Sequence, residues 1–205
     1  GEFIRADFGE PATDPEVKPA DLKDETGKSI GEPEDIIFST KYPNTVLIKK
    51  NIEPIYRHSS KAVVYLYNAA SKKLTKLDTA KVIHPELSPD GSKVAYVKNN
   101  NLYIYDIAAA KTKAVTTDGK WNFIINGNCD WVYEEEFSFT QAYQWSPKGN
   151  YIAYYRFDET NVKEYNFTIF DNTYNKEYRY KYPKAGEENS KVEIHIYDVA
   201  NNKSV

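Results

Sequence analysis

The chain has 205 residues, a formal charge of −3, 40% apolar and 15% aromatic residues, and a single cysteine. That length holds one large domain or two small ones, and the lone Cys129 excludes an internal disulfide or a cysteine-rich metal cluster. No apolar run approaches the ~20 residues that cross a membrane, and the bases are scattered singly, so neither a membrane span nor nucleic-acid binding is expected.

In chain order, residues 1–35 come first and differ from the rest. They hold eleven acids and four bases, a balance of −7 that leaves +4 for residues 36–205, with Pro11, Pro15, Pro19 and Pro33 among few large apolar residues. Such a composition buries too little surface to offset chain entropy and predicts a flexible, acidic, Pro-rich lead-in. The start Gly1-Glu2-Phe3-Ile4-Arg5 lacks the charged-then-apolar build of a signal peptide.

From Ile36 onward the pattern becomes short apolar runs broken by turn residues. Eighteen tyrosines, nine phenylalanines and no methionine favour strands. Val64–Asn68, Val94–Val97, Leu102–Asp106, Ile152–Tyr155 and Val192–Asp198 are predicted strands. The units repeat: Ser88-Pro89-Asp90-Gly91 before Val94-Ala95-Tyr96 matches Ser146-Pro147-Lys148-Gly149 before Ile152-Ala153-Tyr154. Strands also stop alike at Tyr67-Asn68, Tyr105-Asp106 and Tyr197-Asp198. The first of those intervals is 38 residues, close to the ~40–45 of one four-stranded propeller blade. The second is 92 and predicts a long insertion. A β-sandwich has similar strands, but the repeated unit favours a propeller. The one expected helical turn is Val132 to Phe137, its acids suited to a helix N-terminus.

Motifs for nucleophile elbows, zinc peptidases and nucleotide-phosphate loops are missing from the sequence. His58, His84 and His195 are far apart, and His84 and His195 read as structural. What stands out is Asp130-Trp131-Val132-Tyr133-Glu134-Glu135-Glu136, three adjacent carboxylates within an aromatic run and with no basic residue beside them. A solvated acidic turn is the ordinary reading of such a triplet. Adjacent carboxylates rarely span the ~5–9 Å of a glycosidase pair, and the spacing of a calcium loop is missing. A third option is an ammonium group, whose three N–H donors suit two carboxylates at once. Arg57, in Tyr56-Arg57-His58-Ser59, is the second candidate, either pointing into a pocket or paired on the surface with an acid.

These residues resemble a known family. The DWVYEEE string at 130–136, Trp145-Ser146-Pro147-x-Gly149, Tyr154 to Phe157, Tyr182-Pro183-Lys184-Ala185-Gly186 and Tyr56-Arg57-His58-Ser59 are together similar to the N-terminal β-propeller of the dipeptidyl-peptidase IV family, serine peptidases of the prolyl-oligopeptidase clan. The resemblance implies an all-β fold, a portion of an eight-bladed propeller amounting by length to about four blades over residues 36–205. It implies that Glu135 and Glu136 clasp the α-ammonium of a peptide substrate and that Arg57 helps hold a backbone carbonyl of the substrate. The implied activity is release of N-terminal X-Pro or X-Ala dipeptides, with no cofactor or metal. The nucleophilic serine and its aspartate and histidine are expected in a hydrolase domain outside these 205 residues, so the chain alone should be inactive. The expected partners are peptides with a free N terminus, that hydrolase domain and the remaining blades. Open sheet edges would also invite self-association. A bacterial periplasmic or secreted setting is compatible with the missing disulfides. Two other readings stay open at this point: a non-catalytic propeller module for protein–protein interaction, and a polysaccharide-binding scaffold built on the tyrosines.

Overall fold

The Tyr-Asn/Asp ending shared by three predicted strands is one turn used three times. Asn68, Asp106 and Asp198 each accept, through a side-chain oxygen, the backbone N–H three residues on, at Ser71, Ala109 and Asn201, at 2.9 Å in every case. This side-chain mimicry of a backbone turn is what Asn and Asp supply where a strand must reverse. Each chain then passes one residue at positive φ, Lys72 (55°), Ala110 (50°) or Asn202 (55°), and returns as a short strand. Because a side chain in that left-handed region costs about 1–2 kcal/mol and glycine in the unfolded chain gives back part of the gain, Ala110→Gly should stabilise the protein by a net ~0.5 kcal/mol, read as a rise in the urea midpoint.

The Ser-Pro-x-Gly turns also match bond for bond. Gly91 N–H donates to Ser88 O and Gly149 N–H to Ser146 O, both at 2.8 Å, while the serine hydroxyls accept from Lys93 N (2.9 Å) and Tyr151 N (3.0 Å). Gly91 has φ +66°, and a Cβ there would lie 2.4 Å from the Tyr42 ring, so both conformation and space require glycine.

The structure, a computed structural model, describes residues 17–39, 41–42, 44–171 and 173–205. Its strands form three blade-sized antiparallel sheets and one hairpin. Blade 1 is β1 (Asp35–Phe38), β2 (Thr45–Pro54), β3 (Ser60–Asn68) and β4 (Lys73–Lys76), side by side in that order. Blade 2 repeats the meander with β5 (Ile83–Leu87), β6 (Lys93–Lys98), β7 (Asn101–Asp106) and β8 (Lys111–Ala114). Blade 3 begins with β9 (Ile124–Asn126), helix α1 (Trp131–Phe137), β10 (Tyr143–Trp145) and β11 (Tyr151–Asp158). The separate hairpin β12 (Glu164–Ile169) and β13 (Lys176–Lys181) follows, before β14 (Lys191–Asp198) and β15 (Lys203–Ser204) complete the order β10-β11-β14-β15, with β9 beside β11. All five predicted strands fall inside β3, β6, β7, β11 and β14. The fold is all-β, a partial propeller. The count of about four blades from length corresponds to four sheets, three of them blade-sized and the fourth the two-stranded hairpin, which with α1 lies inside the 92-residue interval.

Successive side chains of a strand point to opposite faces, and the blades use this to stack. In β6, Val94 and Tyr96 pack with Leu47, Val64 and Leu66 of blade 1. The alternate residues Ala95 and Val97 pack with Tyr143, Trp145, Ile152 and Tyr154 of blade 3. Covered on both faces, β6 is apolar throughout its middle and shows no hydrophobic alternation. The far face of blade 3 carries Tyr151, Ile194 and Ile196, all exposed.

Part of the segment read as a flexible lead-in is packed. Residues 1–16 lie outside the described residues, but Val17 and Leu22 are fully buried against Val46, Ile48 and Tyr67, on the side of blade 1 away from blade 2. Averaged composition concealed two apolar side chains that find a sheet face to cover.

Candidate functional site

Helix α1 starts where Asp130 accepts the Tyr133 N–H at 2.9 Å, the bond expected of an N-cap. Ser190 donates to the other oxygen of Asp130. Burial raises the Asp130 carboxyl above its ordinary value, opposed by these hydrogen bonds. The helix stops at Ser138, left-handed at φ 51°, whose N–H reaches the Glu134 and Tyr133 carbonyls. The sequence placed the helical turn one residue late and credited its start to the triplet, whereas Asp130 is the cap and only Glu134 lies in the first turn.

Seven residues on a 100° spiral send three adjacent glutamates in three directions. Glu134 points inward and is 1% exposed; its Oε1 accepts two consecutive backbone N–H groups, from His58 and Ser59, at 2.8 Å each. Glu135 is partly buried, and its Oε2 lies 3.4 Å from Arg57 Nε. Glu136 is exposed and makes no ion pair within the described residues. Of the three predicted site residues, then, Arg57 and Glu135 meet, and Glu136 is the next residue along the helix. Arg57 sits in residues 55–59 at the tip of the β2–β3 hairpin, closed by Ile55 N–H to Ser59 O at 2.9 Å. Its side chain is 72% exposed, so the ion pair is open to water and weak in itself.

Aromatic side chains join the helix to the β12–β13 hairpin. Trp131 packs against Tyr182 at 4.6 Å between centroids and Tyr180 at 6.2 Å, and Tyr180 lies 6.4 Å from Tyr56, next to Arg57. Burial, and then the neighbouring Tyr178, push the Tyr56 hydroxyl well above the usual phenol range. A cleft of about 540 Å³ opens between these elements, lined by Pro54, Tyr56, Trp121, Trp131, Tyr178 and Tyr180. A smaller cavity of about 60 Å³ reaches Asp130 and contains Glu159 among its walls. Glu159 is 6% exposed, and burial, reinforced by the Asp130 charge, pushes its carboxyl up to about 7.

The histidines make separate contacts. His84 Nε2 meets Asn128 Oδ1 at 2.8 Å, with burial lowering the imidazole pKa, while His195 lies 3.1 Å from Glu193 and stacks on Tyr154. Among the described residues no group of three His, Cys, Asp or Glu side chains is arranged to hold a metal ion, and no helix is long and apolar enough to cross a membrane.

The model of the dipeptidyl peptidase IV (DPP IV) N-terminal region matches residues 42–205, a span that contains both the Arg57 loop and helix α1. The chain belongs to the dipeptidyl peptidase IV family. Within that family, it is 35% identical over 165 residues to dipeptidyl aminopeptidase B of Saccharomyces cerevisiae, covering 78% of this chain and 20% of that protein. It is 37% identical over 159 residues to dipeptidyl peptidase 4 of Sus scrofa, covering 75% and 21%. The crystal structure of Porphyromonas gingivalis dipeptidyl peptidase 4 superposes with a TM-score of 0.84 at 34% identity, over all of this chain and 32% of that one. The chain thus spans about a fifth of the length of these curated relatives.

Proposed function

We propose that this chain is the substrate-anchoring part of a serine exopeptidase that releases N-terminal dipeptides with Pro or Ala second. Glu135 and Glu136 receive the substrate's α-ammonium, and Arg57 holds a backbone carbonyl beyond it. The observation that carries this reading is the meeting of Arg57 and Glu135, brought together from a hairpin tip and a helix far apart in sequence. The guanidinium pairs with Glu135 alone, and Glu136 beside it makes no ion pair within the described residues, so a surplus negative charge is left for a cation, and an ammonium offers three donors to it. Family membership supports the same assignment, because the matched span includes every one of these residues.

The grip works as a ruler. With the ammonium fixed at the helix, the serine of a separate hydrolase domain meets only the bond two residues in, and longer or blocked ends do not register. That domain and the remaining blades are the partners this reading requires. The test is to offer the full-length protein an X-Pro peptide with a free N terminus and the same peptide acetylated. Selective cleavage of the free amine is expected, and equal rates would overturn the reading. Binding of a folded protein without regard to a free terminus would favour an interaction module instead.

A further inference from the structure

Glu134 belongs to the same triplet as the two clamp residues, yet its carboxylate cannot touch a ligand, being 1% exposed. Its Oε1 accepts the N–H groups of His58 and Ser59, the two residues that follow Arg57, at 2.8 Å each. Two successive amides aimed at one carboxylate oxygen are charge-assisted, and they fix the backbone on either side of a peptide plane rather than a single atom. The Arg57 side chain, in contrast, is 72% exposed and has little packing to define where it points. Its position relative to α1 therefore comes from its backbone, and across this junction that backbone is held by the residue adjoining Glu135.

We propose, on the reading that Glu135, Glu136 and Arg57 grip the substrate, that Glu134 is a positioning residue: it ties the Arg57 loop to helix α1 and so sets the distance between the guanidinium and the two carboxylates. The triplet divides its work, with one acid spent on the backbone of blade 1 and two presented to the ligand. Ser59 itself is buried with a hydroxyl that finds no hydrogen-bond partner among the described residues, so its own side chain is not what joins the loop to α1.

Two substitutions in the full-length protein separate positioning from general stability. E134D draws the carboxylate back by one methylene, about 1.5 Å, too far to reach both amides. Because misplacement on the scale of 1 Å disrupts a binding geometry, KM for a free-amine X-Pro substrate should rise about tenfold with kcat within about twofold. Amide exchange at His58 and Ser59 should accelerate while the amides of Val94 to Val97 keep their protection. E134Q retains an acceptor oxygen at the same reach, and KM should stay within about threefold of the parent. In an R57A background, E134D should add less than about twofold, since its route of action is gone. E134D effects that multiply undiminished on R57A, or an E134Q loss as large as that of E134D, would overturn the inference while leaving the grip intact. Unchanged kcat/KM in E135Q would overturn the grip, and this inference with it.

Discussion

Acetylating the N terminus of an X-Pro peptide should lower kcat/KM by about 10³-fold in the parent protein but by only about tenfold once Glu135 or Glu136 is replaced by glutamine. The parent is expected to discriminate strongly because a neutral amide leaves Glu135 and Glu136 without their cation and places a methyl group against them. Sites built around a polar partner reject analogues lacking it far more sharply than apolar pockets reject a missing methylene. Either glutamine variant should lose about 10²-fold in kcat/KM on the free-amine peptide, on the order of 3 kcal/mol, the size seen when one member of a desolvated charge pair is removed. The acetylated peptide gained nothing from the charges, so its rate should barely move, and discrimination collapses from one side only. The effect should exceed that of Arg57→Ala, since the arginine is largely exposed and its ion pair with Glu135 is long at 3.4 Å. Rates for the two peptides that fall in parallel in the glutamine variants would mean that the carboxylates support the fold rather than the ligand.

Stability should fall as pH rises from about 4.5 to about 7, and Glu159→Gln should remove much of that slope. The Glu159 carboxyl is raised from 4.5 to about 7, first by burial and then by Asp130, with Lys181 opposing and Asp158 adding to the rise. Across that window the native state keeps a proton that the unfolded chain has released, so the native state binds more protons and stability declines with pH. Below about 4.5 both states are protonated at this group and it contributes nothing. Above about 7 the full penalty is present, on the order of 3 kcal/mol for a rise of that size at about 1.4 kcal/mol per pH unit. The glutamine variant should therefore match the parent near pH 4 in urea midpoint and exceed it at pH 8. Midpoint curves that stay parallel across pH 4–8 would show that Glu159 does not carry the charge penalty. Because Asp130 both caps α1 and borders the same cavity, the strain at high pH falls directly beneath the helix that carries Glu135.

The strands and turns were legible because their causes are local. Asn68, Asp106 and Asp198 bond to residues three positions on, and Gly91 and Gly149 close turns within four residues, so a reader of the sequence has both partners in view. The pairing of Arg57 with Glu135 was not derivable in that way; the two residues were singled out separately and linked only through family resemblance. The role of Glu134 was harder still, since the amides it holds lie 75 and 76 residues upstream. One local signal did exist, though a partial one: Glu134 and Glu135 follow Trp131 by three and four positions and share its helix face, which separates them from Glu136 but not from each other. Length matched the number of sheets but not their sizes, because α1 and the β12–β13 hairpin consume chain without building a full blade. Val17 and Leu22 escaped notice because charge and proline content describe a segment on average, while burial is decided by single side chains meeting a sheet face.

The Arg57 loop belongs to blade 1 and helix α1 to blade 3, so Arg57 and Glu135 meet although their blades are not neighbours in the stack. Blade 2 lies between blades 1 and 3, with Val94 and Tyr96 of β6 turned one way and Ala95 and Val97 the other. It acts as a shim between blades 1 and 3, packed on both faces by those four side chains, while Glu134 bonds the loop to the helix directly. A methyl group added at Ala95 would tilt blade 3 and carry Glu135 with it, while one removed from Val94 would shift the hairpin that bears Arg57. The angle at which the Arg57 loop and helix α1 approach each other thus depends on apolar volumes at the centre of the fold as well as on the charges at its rim.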